Sequence, residues 1–151
     1  MGIEINDLKL LQYAAKQINE DGFVEIGDTF PADKCVCFGE YNREGNPLWV
    51  VVLYHFKEGH DCMIGLAMNL KGMFTPRLIR MMGRVIFQYA FEQAKLKRCT
   101  VTIRESNKSS LKLAQKWGFK IEGIKRLGYN KPLEDLYILG LLKSECKFIG
   151  E

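Results

Sequence analysis

The chain predicts an α/β domain with a mixed, largely antiparallel sheet and flanking helices, and three observations lead to that prediction. Residues 34–69 hold strand-like runs rich in β-branched and aromatic residues, separated by turn signals. After Thr75 the hydrophobic period changes from two to 3.6 residues. From there to Leu142, helix-like and strand-like segments alternate, which is typical of α/β domains. A chain of 151 residues suffices for one hydrophobic core, so we expect a single domain over residues 1–151.

The first half of the chain predicts one helix followed by an antiparallel meander of three strands. After a short segment at Gly2–Ile5, Asn6 is the candidate N-cap of a helix that runs to about Asn19 and ends at Asp21-Gly22. The apolar residues at helical spacing are Leu8, Leu11, Ala15 and Ile18. The predicted strands are Lys34–Tyr41, Leu48–Phe56 and Cys62–Asn69. The second strand is the most apolar, which favours a central place in the sheet.

The second half predicts two helices and three strands. Thr75 is expected to cap a helix that has Pro76 at its first position and runs to about Lys95. Its expected buried stripe is Leu78, Met82, Val85, Ile86 and Tyr89. The other predicted elements are a strand at Arg98–Arg104, a helix at Asn107–Trp117, and strands at Lys120–Arg126 and Glu134–Leu142.

The cysteines favour neither disulfides nor a metal site, because they are five in number and irregularly spaced. They are Cys35, Cys37, Cys62, Cys99 and Cys146. All but the last fall in apolar strand-like runs. We therefore expect reduced core residues and no bound metal.

Charge and hydropathy limit the expected partners. The net charge is +4, and the basic residues are dispersed without an RNA-recognition motif, which predicts no specific nucleic-acid partner. A solvated surface and attraction for an anionic ligand are both open explanations of these charges. No run approaches the roughly 20 apolar residues that span a bilayer, and the N-terminus lacks the basic-then-apolar order of a secretory signal. We expect a cytoplasmic protein with no membrane partner.

The segment from Asn107 to Gly123 carries the most specific pattern in the chain. As local structure it is a capped amphipathic helix between two strands, with Asn107 as N-cap and Gly118 as the stop. As a motif it reads Asn-x-x-Ser-x-x-Leu-x-x-Lys-x-Gly-Phe-x-x-Glu-Gly, and Asp135–Leu142 follows it. This string resembles the C-terminal half of the GNAT superfamily, the acetyl-CoA-dependent N-acetyltransferases. Within that superfamily it is similar to the ribosomal-protein alanine and spermidine-type enzymes.

The resemblance covers about Arg98–Leu142 and implies a GNAT-like sheet with splayed central strands. In the family the pantetheine arm of acetyl-CoA, the co-substrate, lies in the gap between the strand before the long helix and the strand after it. Carried onto this chain, those strands are Cys62–Asn69 and Arg98–Arg104. The resemblance implies that pantetheine bonds, like an added strand, to the backbone of Leu66, Ala67 and Met68. It also implies that Asn107 bonds the cofactor near the thioester, with Ser110 close to the sulfur.

The long helix begins differently from that of the family. The family's phosphate loop reads Gln/Arg-x-x-Gly-x-Gly/Ala, and its glycines let backbone amides approach the diphosphate. With Arg77 in the arginine place, Arg80 and Met82 hold the glycine positions. With Arg80 there, Gly83 fits but Val85 follows. Each arginine costs roughly 0.3–1 kcal/mol at the positive end of a helix dipole. A bound phosphate explains that placement, and so does solvation or an ion pair with a carboxylate.

The general acid differs as well. Acetyl transfer needs a deprotonated amine, donors for an oxyanion and an acid for the departing thiolate, without a covalent enzyme intermediate. Many GNAT enzymes supply that acid from a tyrosine seven residues after the motif asparagine, where this chain has Ala114. Tyr137 is the candidate substitute, so the candidate catalytic residues are Asn107 and Tyr137. Tyr54 is a second candidate substitute, although strand tyrosines such as Tyr137 and Tyr54 more often pack in the core. His55 and Glu40 are candidate bases with the same alternative explanation.

Two functions from different classes follow from the resemblance. The first is an acyl-CoA-dependent N-acyltransferase, which moves acetyl from acetyl-CoA to a primary amine such as a protein N-terminus or a polyamine. The second is a catalytically weak or inactive GNAT-fold binding protein. Phe74–Arg77 beside the intact second half resembles the short GNAT-like proteins of tailed bacteriophages, some of them virion-associated. Under that interpretation the location is the host cytoplasm or the virion, and a homodimer or virion proteins are further partners.

Overall fold

The computed structural model describes residues 2–20, 34–68, 75–130 and 132–149, without the side chains of residues 18–20. The chain divides into two compact units. The first comprises residues 1–56 and 63–73, and the second comprises residues 57–62 and 74–151. The expectation of a single domain over residues 1–151 stays a prediction. The predicted stop at Asp21-Gly22 and the end of a strand at Asn69 lie outside the described residues.

The first unit contains a short strand β1 (Glu4–Ile5), helix α1 (Leu8–Glu20), and strands β2 (Val36–Tyr41), β3 (Pro47–Lys57) and most of β4 (Asp61–Met68). Strand β2 pairs antiparallel with β1 and with β3. The expected turn between β2 and β3 is closed by a 2.8 Å bond from the Asn42 amide to the Asn46 carbonyl. Every residue from Trp49 to Tyr54 is buried, so the central place predicted for this apolar run is confirmed.

The start of α1 differs from the prediction. Asp7 is the cap, because its Oδ1 accepts a hydrogen bond from the Leu10 amide at 3.1 Å. Asn6 has a φ of 56°, and its Oδ1 accepts from the Cys37 amide on β2 at 3.0 Å. The expected Asn6 cap is therefore wrong, since a residue 31 positions away occupies that side chain.

The buried face of α1 is also rotated from the predicted one. Leu10, Leu11 and Ala14 are buried against β2 and β3, whereas Leu8 is 58% exposed and Ala15 is half-buried. The side chain of the fourth predicted residue, Ile18, lies outside the described part.

The second unit contains helix α2 (Pro76–Phe87), a π-helical segment (Gln88–Gln93), and strand β5 (Arg98–Arg104). Helix α3 (Lys108–Trp117), strands β6 (Lys120–Asn130) and β7 (Leu133–Leu142), and a 3-10 turn (Lys143–Glu145) follow. Strand β7 lies between β5 and β6 and is antiparallel to both. The predicted fold class, α/β with a mixed, largely antiparallel sheet, is confirmed.

Helix α2 begins as predicted and ends differently. Thr75 caps it, with Oγ1 accepting from the Leu78 amide at 3.1 Å. After Phe87 the chain continues as a π-helix to Gln93 instead of an α-helix to Lys95. The buried residues of α2 are Ile79, Met82, Gly83, Ile86 and Phe87. Three members of the predicted stripe, Leu78, Val85 and Tyr89, are only half-buried.

An aromatic cluster explains this rotation of α2. The ring of Phe87 lies 5.5 Å from that of Trp117, 5.8 Å from those of Phe119 and Phe148, and 6.1 Å from that of Phe91. Burial of such rings dominates core energetics, so the face that carries Phe87 turns inward. The indole nitrogen of Trp117 also donates to the Ile79 carbonyl at 3.0 Å, which fastens α3 to α2.

A charged network joins the first residues of β4 to β5 within the second unit. Arg98 contacts Glu122 on β6 at 2.6 Å and Asp61 at 3.6 Å. Thr100 donates to the same Asp61 carboxylate at 3.0 Å. Gly140 on β7 lies beneath this network, and a Cβ there would overlap the Glu122 carboxylate and the Arg98 guanidinium. Every charged group of this network therefore has a partner.

The cysteines are free, and four of them are buried, as expected of core residues. The fifth, Cys146, is half-buried. The Sγ atoms of Cys62 and Cys99 lie 4.0 Å apart, and this hydrogen bond together with burial raises the pKa of Cys99. Within the described ranges, no helix has the length and apolar character needed to cross a membrane.

Candidate functional site

The turn between β5 and α3 places the residues of the motif. Asn107 Oδ1 accepts hydrogen bonds from the Ser110 amide at 3.2 Å and from Ser109 Oγ at 3.3 Å, so the predicted N-cap is confirmed. Gly118, in the left-handed conformation at φ 106°, ends α3 as predicted. Because the cap uses the Asn107 oxygen, the amide nitrogen of the same side chain is the group that can donate to a ligand.

Strand β7 holds this turn in place. The Glu105 amide donates to the Asp135 carbonyl at 3.0 Å. Glu134 accepts two hydrogen bonds from Ser106, at 2.6 Å from the amide and at 2.9 Å from the hydroxyl. The backbone amide of Asn107 donates to the Arg104 carbonyl at 3.0 Å, which closes the turn. Backbone and side-chain bonds thus fix the position of Asn107 before any ligand binds.

The candidate catalytic tyrosine lies on β7. Tyr137 is half-buried and pairs with Ile103 of β5 and Ile124 of β6. Ala114, at the position of the family's tyrosine acid, is 4% exposed and packs in the core of the second unit. Ser110 is half-buried in the first turn of α3. The structure thus brings Asn107 and Ser110 together in one cap, and the role of Tyr137 as the acid stays a prediction.

The start of α2 cannot present a run of free amides to a phosphate. Pro76 has no N–H, the Leu78 amide is bonded to Thr75 Oγ1, and the Ile79 amide is bonded to the Thr75 carbonyl at 3.0 Å. Gly83 does not act as a phosphate glycine either, because it lies inside α2 and a Cβ there would stand 2.7 Å from the Phe148 ring. Neither alignment with the family's phosphate loop therefore corresponds to an amide cradle.

Cationic side chains cluster on the exposed surface of α2. Arg77 and Arg80 are exposed, and both line a pocket with Met81, Arg84 and Val85. A neighbouring groove shares Arg80 and Arg84 and adds Lys116 from α3 and Lys147 from the segment after β7. Arg84, Lys116 and Lys147 were not expected from the sequence. Arg84 could have been found from the sequence, because residues seven apart lie on the same face of a helix and Arg77 is seven residues before it. Lys147 could not, because it reaches α2 only through tertiary packing.

Residues Leu66, Ala67 and Met68 lie at the end of β4 in the first unit. Ala67 is buried, and the other two are half-buried. The Met68 carbonyl already accepts a hydrogen bond from Gln17 Nε2 at 3.2 Å. A carbonyl oxygen has two lone pairs, so this bond leaves one acceptor site on Met68.

The remaining candidates lie in the first unit and have structural contacts. Tyr54 is 4% exposed, and its ring stands edge-on to that of His55 at 4.9 Å. His55 is exposed, with a φ of 51°. Glu40 accepts a hydrogen bond from the Trp49 indole at 3.0 Å. Core packing accounts for Tyr54, and the Trp49 contact accounts for Glu40.

Comparison with solved structures shows the same fold in acetyltransferases. The crystal structure of a probable acetyltransferase is 25% identical over 74% of this chain, with a TM-score of 0.62, and the chain spans 64% of that structure's length. The spermidine N-acetyltransferase of Vibrio cholerae in complex with CoA and spermine is 14% identical, with a TM-score of 0.71 over 95% of this chain and 96% of its own. The ribosomal-protein-S5-alanine acetyltransferase of Vibrio fischeri is 14% identical, with a TM-score of 0.68 over 96% and 94%.

These likenesses establish the GNAT fold for this chain. No protein-family model matches the sequence, and no curated protein matches it. The expected resemblance to phage proteins stays a prediction.

Proposed function

We propose that this chain is a GNAT-type N-acetyltransferase that moves acetyl from acetyl-CoA to a primary amine. The observation that carries the proposal is the pinned β5–α3 turn, in which Asn107 caps the helix through its oxygen and keeps its amide nitrogen available. That turn stands in the fold of known acetyltransferases and contains the motif of the family.

The reaction requires few groups. A neutral amine attacks the thioester carbonyl, and the new C–N bond leaves an oxyanion on the carbonyl oxygen. Collapse of this oxyanion breaks the C–S bond, and the amine proton ends on the departing thiolate. The Asn107 amide nitrogen would donate to the cofactor near the thioester, and Ser110 would stand close to the sulfur. Tyr137 would give its proton to the thiolate and recover it from the amine.

The remaining proposed contacts hold the cofactor. The backbone of Leu66 and Ala67, with the open lone pair of Met68, would bond the pantetheine arm as an added strand. Arg77 and Arg80 would bind the diphosphate with their guanidinium groups, which match phosphate geometry. Side chains would thus replace the glycine-rich amide loop.

The acceptor would be a small amine, such as a polyamine, or the N-terminus of a protein. The test is a turnover assay that detects free CoA thiol after the chain is mixed with acetyl-CoA and each amine in turn. A panel of spermidine, a peptide with N-terminal alanine and free lysine covers these classes. Release of thiol with at least one amine, above the hydrolysis measured without an amine, is the expected result.

A chain that shows neither thermal stabilisation nor thiol release at millimolar acetyl-CoA contradicts the proposal. A ligand at 100 times its Kd stabilises a fold by about 2.7 kcal/mol, which is readily measured. Stabilisation without thiol release indicates the alternative, a GNAT-fold binding protein without turnover. Association with a virion and a cytoplasmic location are further predictions that fractionation of producing cells tests directly.

A further inference from the structure

The hairpin of β6 and β7 carries most of the exposed apolar side chains of the described residues. Seven large apolar residues are exposed in that part of the chain, and five of them lie on these two strands. They are Ile121, Ile124 and Leu127 on β6, and Leu133 and Leu142 on β7. Single exposed apolar residues are common on folded proteins, whereas their concentration on one element marks an interaction surface.

Strand β6 is also an edge strand. It pairs with β7 along one side, and no other described strand pairs with its second side. Eight of its eleven residues are exposed. The outer N–H and C=O groups of such a strand can bind another strand by the hydrogen bonds of a sheet ladder. The side chains of β6 then determine which strand fits.

The sequence of β6 is complementary to a second copy of itself that runs antiparallel. With Ile124 opposite Ile124 of the second copy on a two-fold axis, Ile121 lies opposite Leu127, and Glu122 lies opposite Arg126. The symmetry repeats both pairs on the other side of the axis. Apolar pairs and pairs of opposite charge at facing positions stabilise a sheet.

Axes at the adjacent residues lack this complementarity. An axis at Lys125 places two lysines opposite each other, and an axis at Gly123 places Lys120 opposite Arg126. Like charges that face each other across a strand pair are destabilising. With the axis at Ile124, both lysines of the strand lie opposite glycines.

The irregularities of β6 also coincide in this register. Lysines and β-bulges usually protect an edge strand from pairing, and the β6–β7 register shifts between Ile121 and Gly123 and again between Lys125 and Tyr129. An axis at Ile124 places the first shift of one copy opposite the second shift of the other. The regular stretch from Gly123 to Lys125 then lies at the centre of the pairing.

The charged groups of β6 are available for the new ion pairs. Arg126 is exposed, and within the described ranges it forms no ion pair. Glu122 contacts Arg98 at 2.6 Å, and its side chain is 37% exposed. A carboxylate has about four lone-pair sites, so Glu122 can accept from a second guanidinium as well.

We propose that the chain forms a symmetric homodimer in which β6 of one copy pairs antiparallel with β6 of the other about Ile124. The partner at this edge is thus a second copy of this chain, and the interface is isologous. The inference goes beyond the proposed function and does not depend on it, because no residue of β6 takes part in the proposed cofactor contacts or proton transfer.

Cross-linking at the axis tests the register. Ile124→Cys places each thiol opposite its own symmetry mate, where the Cβ atoms of facing residues lie about 4.5–5.5 Å apart. Diamide takes up the two hydrogens as two thiols become one disulfide. We expect a covalent dimer of Ile124→Cys on a non-reducing gel and none of the wild type, whose cysteines are buried or half-buried. The control is Leu133→Cys, at an exposed apolar residue of the same hairpin outside β6.

Light scattering after size-exclusion chromatography measures the dimer without a cross-link. The wild type should elute with twice the mass of the chain. Ile124→Glu places two carboxylates at the axis, and Arg126→Glu places a carboxylate opposite Glu122, so both variants should elute as monomers. Leu133→Glu, which introduces a carboxylate on β7 instead, should stay a dimer. Thermal unfolding checks that each variant is folded.

A wild type that elutes as a monomer overturns the inference, and so does a dimer that persists in both Ile124→Glu and Arg126→Glu. Equal cross-linking of Ile124→Cys and Leu133→Cys also overturns it, because the pairing about Ile124 brings only the first pair of thiols together. Each of these results leaves acetyl transfer standing, since the thiol-release assay tests that reaction separately.

Discussion

The two helix starts of the second unit differ in how they offer charge to a ligand. At α3, hydrogen bonds to β7 hold the turn that carries Asn107. The side-chain oxygen of Asn107 caps the helix, and its side-chain amide nitrogen is left to donate to a ligand. At α2 the amides of Leu78 and Ile79 are bonded to Thr75, and three arginines stand on the surface behind that cap. Under the proposed function, the α3 start positions the thioester end of the cofactor, whereas α2 supplies charge for its phosphates. Variants near α3 should therefore lower kcat, and variants on α2 should raise KM for acetyl-CoA.

The largest expected effect concerns Tyr137. Replacement by Phe removes the proposed acid and keeps an aromatic ring at the strand position paired with Ile103 and Ile124. We expect kcat to fall by about 10²–10⁴, the usual contribution of general acid catalysis, with KM for acetyl-CoA unchanged. Steady-state assays with the best amine measure both values. An unchanged kcat removes Tyr137 from the mechanism, and thermal unfolding of the variant checks that its fold is retained.

The next largest effect concerns Arg80 on α2 and the binding of acetyl-CoA. Arg80→Glu reverses the charge that is shared by both basic pockets on α2. Loss of charge-assisted hydrogen bonds worth about 1.5–3 kcal/mol should weaken acetyl-CoA binding by about 10- to 100-fold. The control, Arg126→Glu, makes the same charge change outside these pockets. Similar weakening in both variants means that the effect is one of net charge and contradicts a specific role.

Gly83 connects the basic groove to stability. A Cβ at this position would stand 2.7 Å from the Phe148 ring, so Gly83→Ala must displace that ring, which follows Lys147 in the chain. Overpacking of this kind costs about 1–3 kcal/mol, and we expect lower stability to urea together with weaker CoA binding. Gly123→Ala is the control, because no atom lies within 4 Å of its added Cβ. Unaltered stability of Gly83→Ala means that the segment does not hold the groove wall.

Asn107 gives a smaller and more selective effect. Asp caps a helix as well as Asn does, so Asn107→Asp keeps an acceptor for the Ser110 amide and loses the amide donor. Removal of one hydrogen bond worth about 0.5–1.5 kcal/mol should lower kcat/KM by up to about tenfold with little change in stability. Asn107→Ala should also lose about 1 kcal/mol of stability with the cap. Equal activity in Asn107→Asp and wild type places the residue in a capping role only.

The start of α1, in the first unit, gives the smallest effect on activity and serves as a structural benchmark. Hydrogen bonds from Tyr41 and from the Leu10 amide hold the pKa of Asp7 below its usual 3.8. A carboxyl whose folded pKa is lowered contributes stability above about pH 4 and loses it as the pH falls further. Asp7→Ala should therefore unfold more easily at pH 7 and show a weaker loss of stability between pH 4 and 2. Activity at 25 °C should be unaffected because Asp7 has no place in the proposed site, and a large loss would implicate the start of α1 in the reaction.

Tyr41, the partner of Asp7, makes stability depend on pH at the alkaline end of the range, where stability falls as the pH rises. Burial and the hydrogen bond to Asp7 raise the pKa of Tyr41 to about 12. A phenol whose folded pKa is raised contributes stability that is present below its usual value of 10 and is lost as the pH approaches 12. Tyr41→Phe should remove this alkaline dependence, which unfolding curves between pH 8 and 11 can detect.

Local signals predicted most of the second unit. Strand β5 has the predicted bounds because its polar and apolar residues alternate, and α3 has the predicted cap and stop. The Asn6 cap was wrong because Cys37, distant in sequence, occupies that side chain. The groove on α2 was missed because Lys147 and Phe148 reach it only through packing on Gly83. Periodicity and capping describe neighbours along the chain, and they cannot identify contacts that the fold creates.

The most direct test of the central claim is a calorimetric titration of the wild-type chain with acetyl-CoA at low and at physiological salt. Cationic side chains on an exposed helix face should hold the phosphates, and ionic screening weakens such contacts. The account predicts one acetyl-CoA per chain, with a Kd that rises several-fold as the salt concentration increases. A titration without heat at millimolar acetyl-CoA, or a Kd that does not respond to salt, would contradict it.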